Sequence, residues 1–201
     1  CTAELFFALT VLLAFATSRA WIEARPAGFR FSTPGQTTAL VFVCLTFLQI
    51  LMGAVLRHSF AGLAIPTFPL AFGALVPPFW NFGISVHFLH SRVGATVLVV
   101  LGLSLILRVF TSGHAKPVKT VAGILGGALL LQCVLGMLTI WSGKAPVPTT
   151  FHLSGGALVF TSGLLLFLMI YRLGDRAAGN LAAKGTMTDL ASASRVLPGA
   201  S

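Results

Sequence analysis

Carboxylates are scarce in this chain, which carries only 4 Asp and Glu in 201 residues. None lies between Glu23 and Asp175. That stretch therefore holds no Asp or Glu to act as a general base, a proton relay or a cation-coupling site. A proton-coupled transporter is disfavoured, and acid–base chemistry cannot be housed in this stretch alone. Charged residues of both signs make up 8% of the chain against 56% hydrophobic residues, too little polar surface to coat a water-exposed globule. Cysteine is limited to Cys1, Cys44 and Cys133, whose spacing is not the C-x-x-C of a metal site. Cys44 and Cys133 fall within apolar runs and are expected to be small core residues. Cys1, at the outer face, would find a disulfide partner only outside this sequence.

What is abundant is apolar sequence of membrane length. A span needs about 20 residues with few charges, and five runs read as spans: Thr2–Ser18, Thr37–Leu56, Ile84–Leu107, Val118–Trp141 and Phe151–Tyr171. The first run lacks the basic leader and small-residue cleavage site of a secretory signal, so it reads as a true span. It opens at what looks like the outer edge of a helix, and an upstream part of a longer protein is expected.

The net charge of +9 raises the question of a nucleic-acid partner, which the loop map answers. Arg19, Arg25, Arg30, Arg108, Lys116, Lys119, Arg172, Arg176, Lys184 and Arg195, ten of the thirteen Lys and Arg, fall on one side of the spans. Basic residues on short loops mark the cytoplasmic face. The charge reports topology, with the C-terminus inside, and no nucleic acid is expected.

The connection between the second and third spans, Gly53–Gly83, is long and rich in Pro, Gly and aromatic residues. Its apolar character predicts a loop folded back over the outer mouth of the bundle. Residues 174–201 are rich in Ala, Gly and Ser without amphipathic periodicity and read as a flexible cytoplasmic extension.

An internal repeat relates the second span to the fourth and the third to the fifth. Leu48-Gln49-Ile50-Leu51-Met52-Gly53 matches Leu131-Gln132-Cys133-Val134-Leu135-Gly136 as L-Q-x-x-x-G. His90-Ser91-Arg92-Val93-Gly94-Ala95 matches His152-Leu153-Ser154-Gly155-Gly156-Ala157 as H-x-x-x-G-A. Each helix pair thus places one His in the first turns of its second helix, with small residues one turn on that admit a neighbouring helix or a flat ligand. Histidines within a span usually face the bundle interior and serve a function. A lone one more often makes an interhelical hydrogen bond, whereas a symmetry-related pair without Cys, Met or carboxylate nearby suits axial ligation of a haem iron. Zinc would need three or four ligands, which the pattern does not assemble.

His87 lies three residues before His90 on about the same helix face, but only His90 aligns with His152. His87 therefore reads as a neighbour of the ligand pair or of the haem carboxylates. Those carboxylates should meet outer-side cations, for which Arg57 is the leading candidate and His58 and Arg92 are others. Arg92 is also placed to snorkel to the interface. Lys144 and His114 read as ordinary solvated loop residues.

Three segments resemble the haem A synthase family, the cytochrome oxidase assembly proteins that convert haem O to haem A. They are G-A-V-L-R-H-S-F-A-G-L-A-I-P-T-F-P-L at Gly53–Leu70, V-H-F-L-H-S-R-V-G-A at Val86–Ala95 and T-T-F-H-L-S-G-G-A-L at Thr149–Leu158. The resemblance covers roughly residues 35–172 and is to the family's C-terminal half. It implies that His90 and His152 ligate a haem b serving electron transfer, while a largely missing N-terminal half binds haem O and oxidises a ring methyl to formyl. Residues 1–34 would be the last helix of that half plus a cytoplasmic loop, and residues 35–173 the haem module. The family's first ligand is usually followed directly by Arg, whereas this chain reads His90-Ser91-Arg92.

The expected protein is thus an all-α, polytopic transmembrane helical bundle of five spans, four of them a pseudo-two-fold four-helix haem module. It is expected in a bacterial-type plasma membrane or the mitochondrial inner membrane, with the bilayer, haem, a further copy of itself and other oxidase assembly factors as partners. Two other classes remain: a membrane b-type cytochrome for electron transfer only, and a haem-free membrane assembly protein.

Overall fold

Helix is the only way for a lone apolar segment to satisfy its backbone in lipid, and in the computed structural model every regular element among the described residues is a helix. The structure describes residues 2–23 and 34–196, with side chains for 2–19, 21–23 and 34–172. The readings placed on Cys1, on Arg25 and Arg30, and on the side chains of Arg176, Lys184 and Arg195 lie outside these described residues.

The elements are α1 (Thr2–Ala16), α2 (Arg19–Ile22), α3 (Pro34–His58), α4 (Phe82–Phe88), a π-helical turn (Leu89–Gly94), α5 (Ala95–Thr111), α6 (Lys116–Trp141) and α7 (Pro146–Val196). α4, the π-turn and α5 form one rod, Phe82–Thr111. Starts are set by local chemistry. Asn81 caps α4, its side chain accepting from the Ile84 N–H at 2.9 Å, and Pro stands at the first or second position of α3, α6 and α7, where a missing N–H costs nothing.

Four helices are long and apolar enough to cross a membrane: Pro34–His58, Phe82–Thr111, Lys116–Trp141 and Pro146–Arg172. The fifth, α1, has 15 described residues, about 22 Å of helix. α3, the α4–α5 rod, α6 and α7 pack as a ring, each against the next, with α6–α7 the most extensive contact and α1 laid against α7. Phe42 lies at the centre, fully buried with Leu105, Leu125 and Leu166. Gly102 and Gly163 make room for its ring, which a Cβ at either position would crowd. Small residues at the contact substitute for the hydrophobic force that lipid does not supply between helices. The outer surface carries bare Leu9, Leu13, Val100, Leu107 and Leu130, a hazard in water and ordinary against acyl chains. The hydroxyls of Thr46, Ser104 and Ser162 donate back to their own helices, at 2.7, 2.8 and 2.7 Å, so none enters lipid unpaired. The chain is an integral membrane protein.

Three expectations shift. Cys44 and Cys133 are exposed on the outer surface and not in the core; Cys44 follows the central Phe42 by two positions, which on a helix turns it away. The loop is shorter than its sequence limits, covering 59–81, because Gly53 through His58 continue α3. Helix α7 runs on through Val196, into the segment read as a flexible extension; Ala-rich sequence with no proline before Pro198 offers nothing to stop it.

Candidate functional site

The loop 59–81 and the α6–α7 turn lie at one end of the bundle, and both histidines of the repeat lie just below them. The loop has its own small core of Ile65, Ala71 and Ile84 and is tied down at several points. His87, almost fully buried, accepts the Ile65 N–H at Nδ1, 3.0 Å. Arg92 donates to Pro69 O at 3.1 Å and Thr67 O at 2.7 Å, with its guanidinium 4.6 Å from the centre of the Phe68 ring. Trp141 Nε1 donates to Phe68 O at 3.3 Å, joining the loop to α6, and the stem of Lys144 lies against Gly62. The expected cap over the bundle mouth is therefore built mainly by His87 and Arg92, for which the sequence suggested haem contacts. Lys144 is half-buried on this cap, against its reading as a freely solvated residue.

Beneath the cap, the rings of His90 and His152 face each other with centres 6.5 Å apart and planes at 86°. The repeat explains how. Each ring rests on the glycine of the facing L-Q-x-x-x-G motif: a Cβ at Gly53 would sit 3.1 Å from His90 Cε1, and one at Gly136 3.2 Å from His152 Cε1. Each ring also lies against the backbone of the glutamine one turn earlier, Gln49 or Gln132. The glutamines reach back the other way. Gln49 packs on Gly94, and Gln132 on Gly155 and Gly156. Two reciprocal locks, His on Gly and Gln on Gly, thus hold the two helix pairs.

The polar atoms of the site are unequally satisfied. Nδ1 of His90 and of His152 is buried without a hydrogen-bond partner, and these are the only nitrogens of the two rings so sealed. Among the described residues no group of three or more His, Cys, Asp or Glu could hold a metal ion, so the site is a pair of imidazoles. Arg57 and His58 end α3 beside the cap, exposed. His114, in the turn at the far end, is half-buried; burial first and Lys119 second lower its pKa. Sequence reasoning missed the bond from Gln49 to the His90 backbone and the packing of Gln132 on α7, although both glutamines stand in the quoted repeat.

The sequence model described as cytochrome oxidase assembly protein matches residues 1–184. The chain belongs to the cytochrome oxidase assembly protein family. Among its relatives are the haem A synthase of Methylobacterium sp. (strain 4-46), 30% identical over 75% of this chain and 48% of that protein, and the haem A synthase of Bradyrhizobium diazoefficiens, 32% identical over 76% and 43%. The protohaem IX farnesyltransferase of Chloroflexus aurantiacus is 30% identical over 65% of this chain and 22% of that protein. This family member spans just under half the length of the haem A synthases it matches. No solved structure matches it.

The cap yields a first prediction for this cytochrome oxidase assembly protein. Replacing Arg92 with Ala strips loop carbonyls of a charged donor, worth about 2–3 kcal/mol locally. Protease cleavage within 59–81 in detergent should accelerate roughly thirtyfold or more, since about 1.4 kcal/mol is tenfold in a local opening equilibrium. Arg57→Ala, which keeps the backbone carbonyl that accepts the Phe60 N–H and removes a side chain with no hydrogen bond to the cap among the described residues, should leave the cleavage rate unchanged.

Proposed function

We propose that this chain is the haem-b-holding half of a haem A synthase, acting in cytochrome oxidase assembly where a haem O methyl group is oxidised to formyl. The observation that carries this reading is the facing pair His90 and His152. Metal–imidazole bonds of about 2 Å put the centres of two rings clasping one metal ion roughly 6 Å apart, which fits the 6.5 Å separation. Nδ1 is the sealed nitrogen of each ring, leaving Nε2 as the atom toward iron. A ligating imidazole donates its other N–H to a nearby acceptor, and the backbone of Gln49 or Gln132 is the group at hand. Gly53 and Gly136 leave the rings room to stand edge-on in the gap. The haem, when bound, supplies one-electron transfer, its potential tuned by axial ligands and burial.

The chain's own residues do the rest. His90 and His152 hold and orient the group, and the cap strapped by His87 and Arg92 shields its outer edge from water. With Arg92 engaged on the cap, Arg57, next to His58, is the cation for the haem carboxylates. Oxidation of haem O belongs to the other half of the parent protein. That a farnesyltransferase of protohaem contains a segment like this one supports other haem-modifying assembly factors as partners. The end carrying Arg108, Lys116 and Lys119 is the cytoplasmic one, and the C-terminus lies there. Titrating the purified chain in detergent with haem b should saturate at one haem per chain, giving a six-coordinate low-spin absorption spectrum. Failure to bind, with the helical fold intact, would favour a haem-free assembly protein.

A further inference from the structure

The two halves of the repeat are alike in sequence but not in how they hold their histidines. Gln49 Nε2 donates to the backbone carbonyl of His90 at 2.6 Å, across 41 residues of sequence. Gln132 has a buried Oε1 without a hydrogen-bond partner. The difference follows the backbone. His90 sits inside the π-helical turn Leu89–Gly94, whereas His152 sits in uninterrupted α-helix. The glutamine side-chain oxygen packs on the glycine one turn past the histidine, which is Gly94, four residues on, in the wide π-turn and Gly155, three residues on, in the tighter α-turn, where Gln132 Nε2 lies against Gly156.

We propose, on the reading that His90 and His152 are axial haem ligands, that Gln49 is a positioning residue for His90 and that Gln132 is not one for His152. A π-turn is an insertion in an α-helix, rare overall and frequent at functional sites. It leaves carbonyls poorly served and competes with relaxation to α geometry, which would rotate the His90 ring away from its aim. The Gln49 amide supplies the missing donor at the carbonyl of the ligand residue itself, and Gly94 gives that amide its place. His152 needs no tether, because regular α-helix and the Gly136 seat already orient it. One ligand is therefore locked by helix geometry and the other by a side chain from a neighbouring helix.

Gln49→Met keeps the length and apolar stem and removes the donor, in the full chain loaded with haem b. Second-sphere losses of this kind cost about 10–100-fold in metal-site affinity, so haem b should bind that much more weakly. Part of the ferric haem should become five-coordinate and high-spin, and the ferrous form should bind carbon monoxide, which the wild type should not. Gly94→Ala should do the same without altering Gln49, because the new Cβ displaces the amide. Gln132→Met should keep the wild-type spectrum. Unaltered spectra in both Gln49→Met and Gly94→Ala would overturn the assignment, as would an equal perturbation by Gln132→Met, which would make the glutamines mere packing. A wild type without a low-spin haem would instead remove the functional reading beneath it.

Discussion

His152→Ala should cost the chain its six-coordinate haem. The ring is half of a pair whose centres lie 6.5 Å apart, and no Cys, Asp, Glu or third His among the described residues stands by to replace it. Loss of a partner that merely orients a ligand costs about 10–100-fold in affinity, so loss of the ligand itself should exceed about a hundredfold. What haem b remains should be five-coordinate, high-spin and open to carbon monoxide. His90→Ala should behave alike. His87→Ala provides the contrast: its Nδ1 is occupied by the Ile65 N–H, so it should loosen the cap while the spectrum stays low-spin. Haem titration followed by absorption, for all three variants, separates ligands from cap.

Gly136→Val should have the next largest effect. Even a methyl there would sit 3.2 Å from His152 Cε1, tighter than ordinary contact, and the two further methyls of valine would fill the seat of the ring. The imidazole must then leave its rotamer or push α6 and α7 apart, costing about 1–3 kcal/mol. Either response should weaken haem b binding by tenfold or more and produce a high-spin fraction. Gly53→Val should act in the same way on His90. Gly127→Val, on the same helix as Gly136 but with nothing near its missing Cβ, should bind haem b as the wild type does. Equal losses at Gly127 and Gly136 would show helix destabilisation, with no steric seat for the ring.

These effects rest on features of unequal visibility in the sequence. Apolar runs of membrane length gave away the spans, since a lone segment in lipid satisfies its backbone only as a helix. The duplicated L-Q-x-x-x-G and H-x-x-x-G-A segments told which helices pair and that His90 meets His152. They did not disclose what the glutamines do, because a glutamine in a span reads equally as a hydrogen-bonding residue anywhere in the bundle. Nor did they show the π-turn: Leu89–Gly94 contains nothing that an α-helix would refuse. The identical four-residue spacing of His to Gly hid a difference in backbone, so that Gly155 and not Gly156 answers to Gly94 beneath the glutamine carbonyl oxygen. Arg92 was legible as a cation at the right end, and its reach to Thr67 and Pro69 depended on a loop path that no periodicity encodes. The exposure of Cys44 and Cys133 follows from helix phase, set by Phe42 and by the ring of neighbours. Composition alone placed them only within spans.

The central claim, that two imidazoles from duplicated helix pairs clasp one iron, is tested most directly by pulsed electron paramagnetic resonance of the ferric haem-b-loaded chain. With histidine labelled by nitrogen-15, a low-spin signal coupled to two axial imidazole nitrogens is expected for the wild type, and a high-spin signal coupled to one for His152→Ala. A high-spin signal, or coupling to a single histidine in the wild type, would contradict the account.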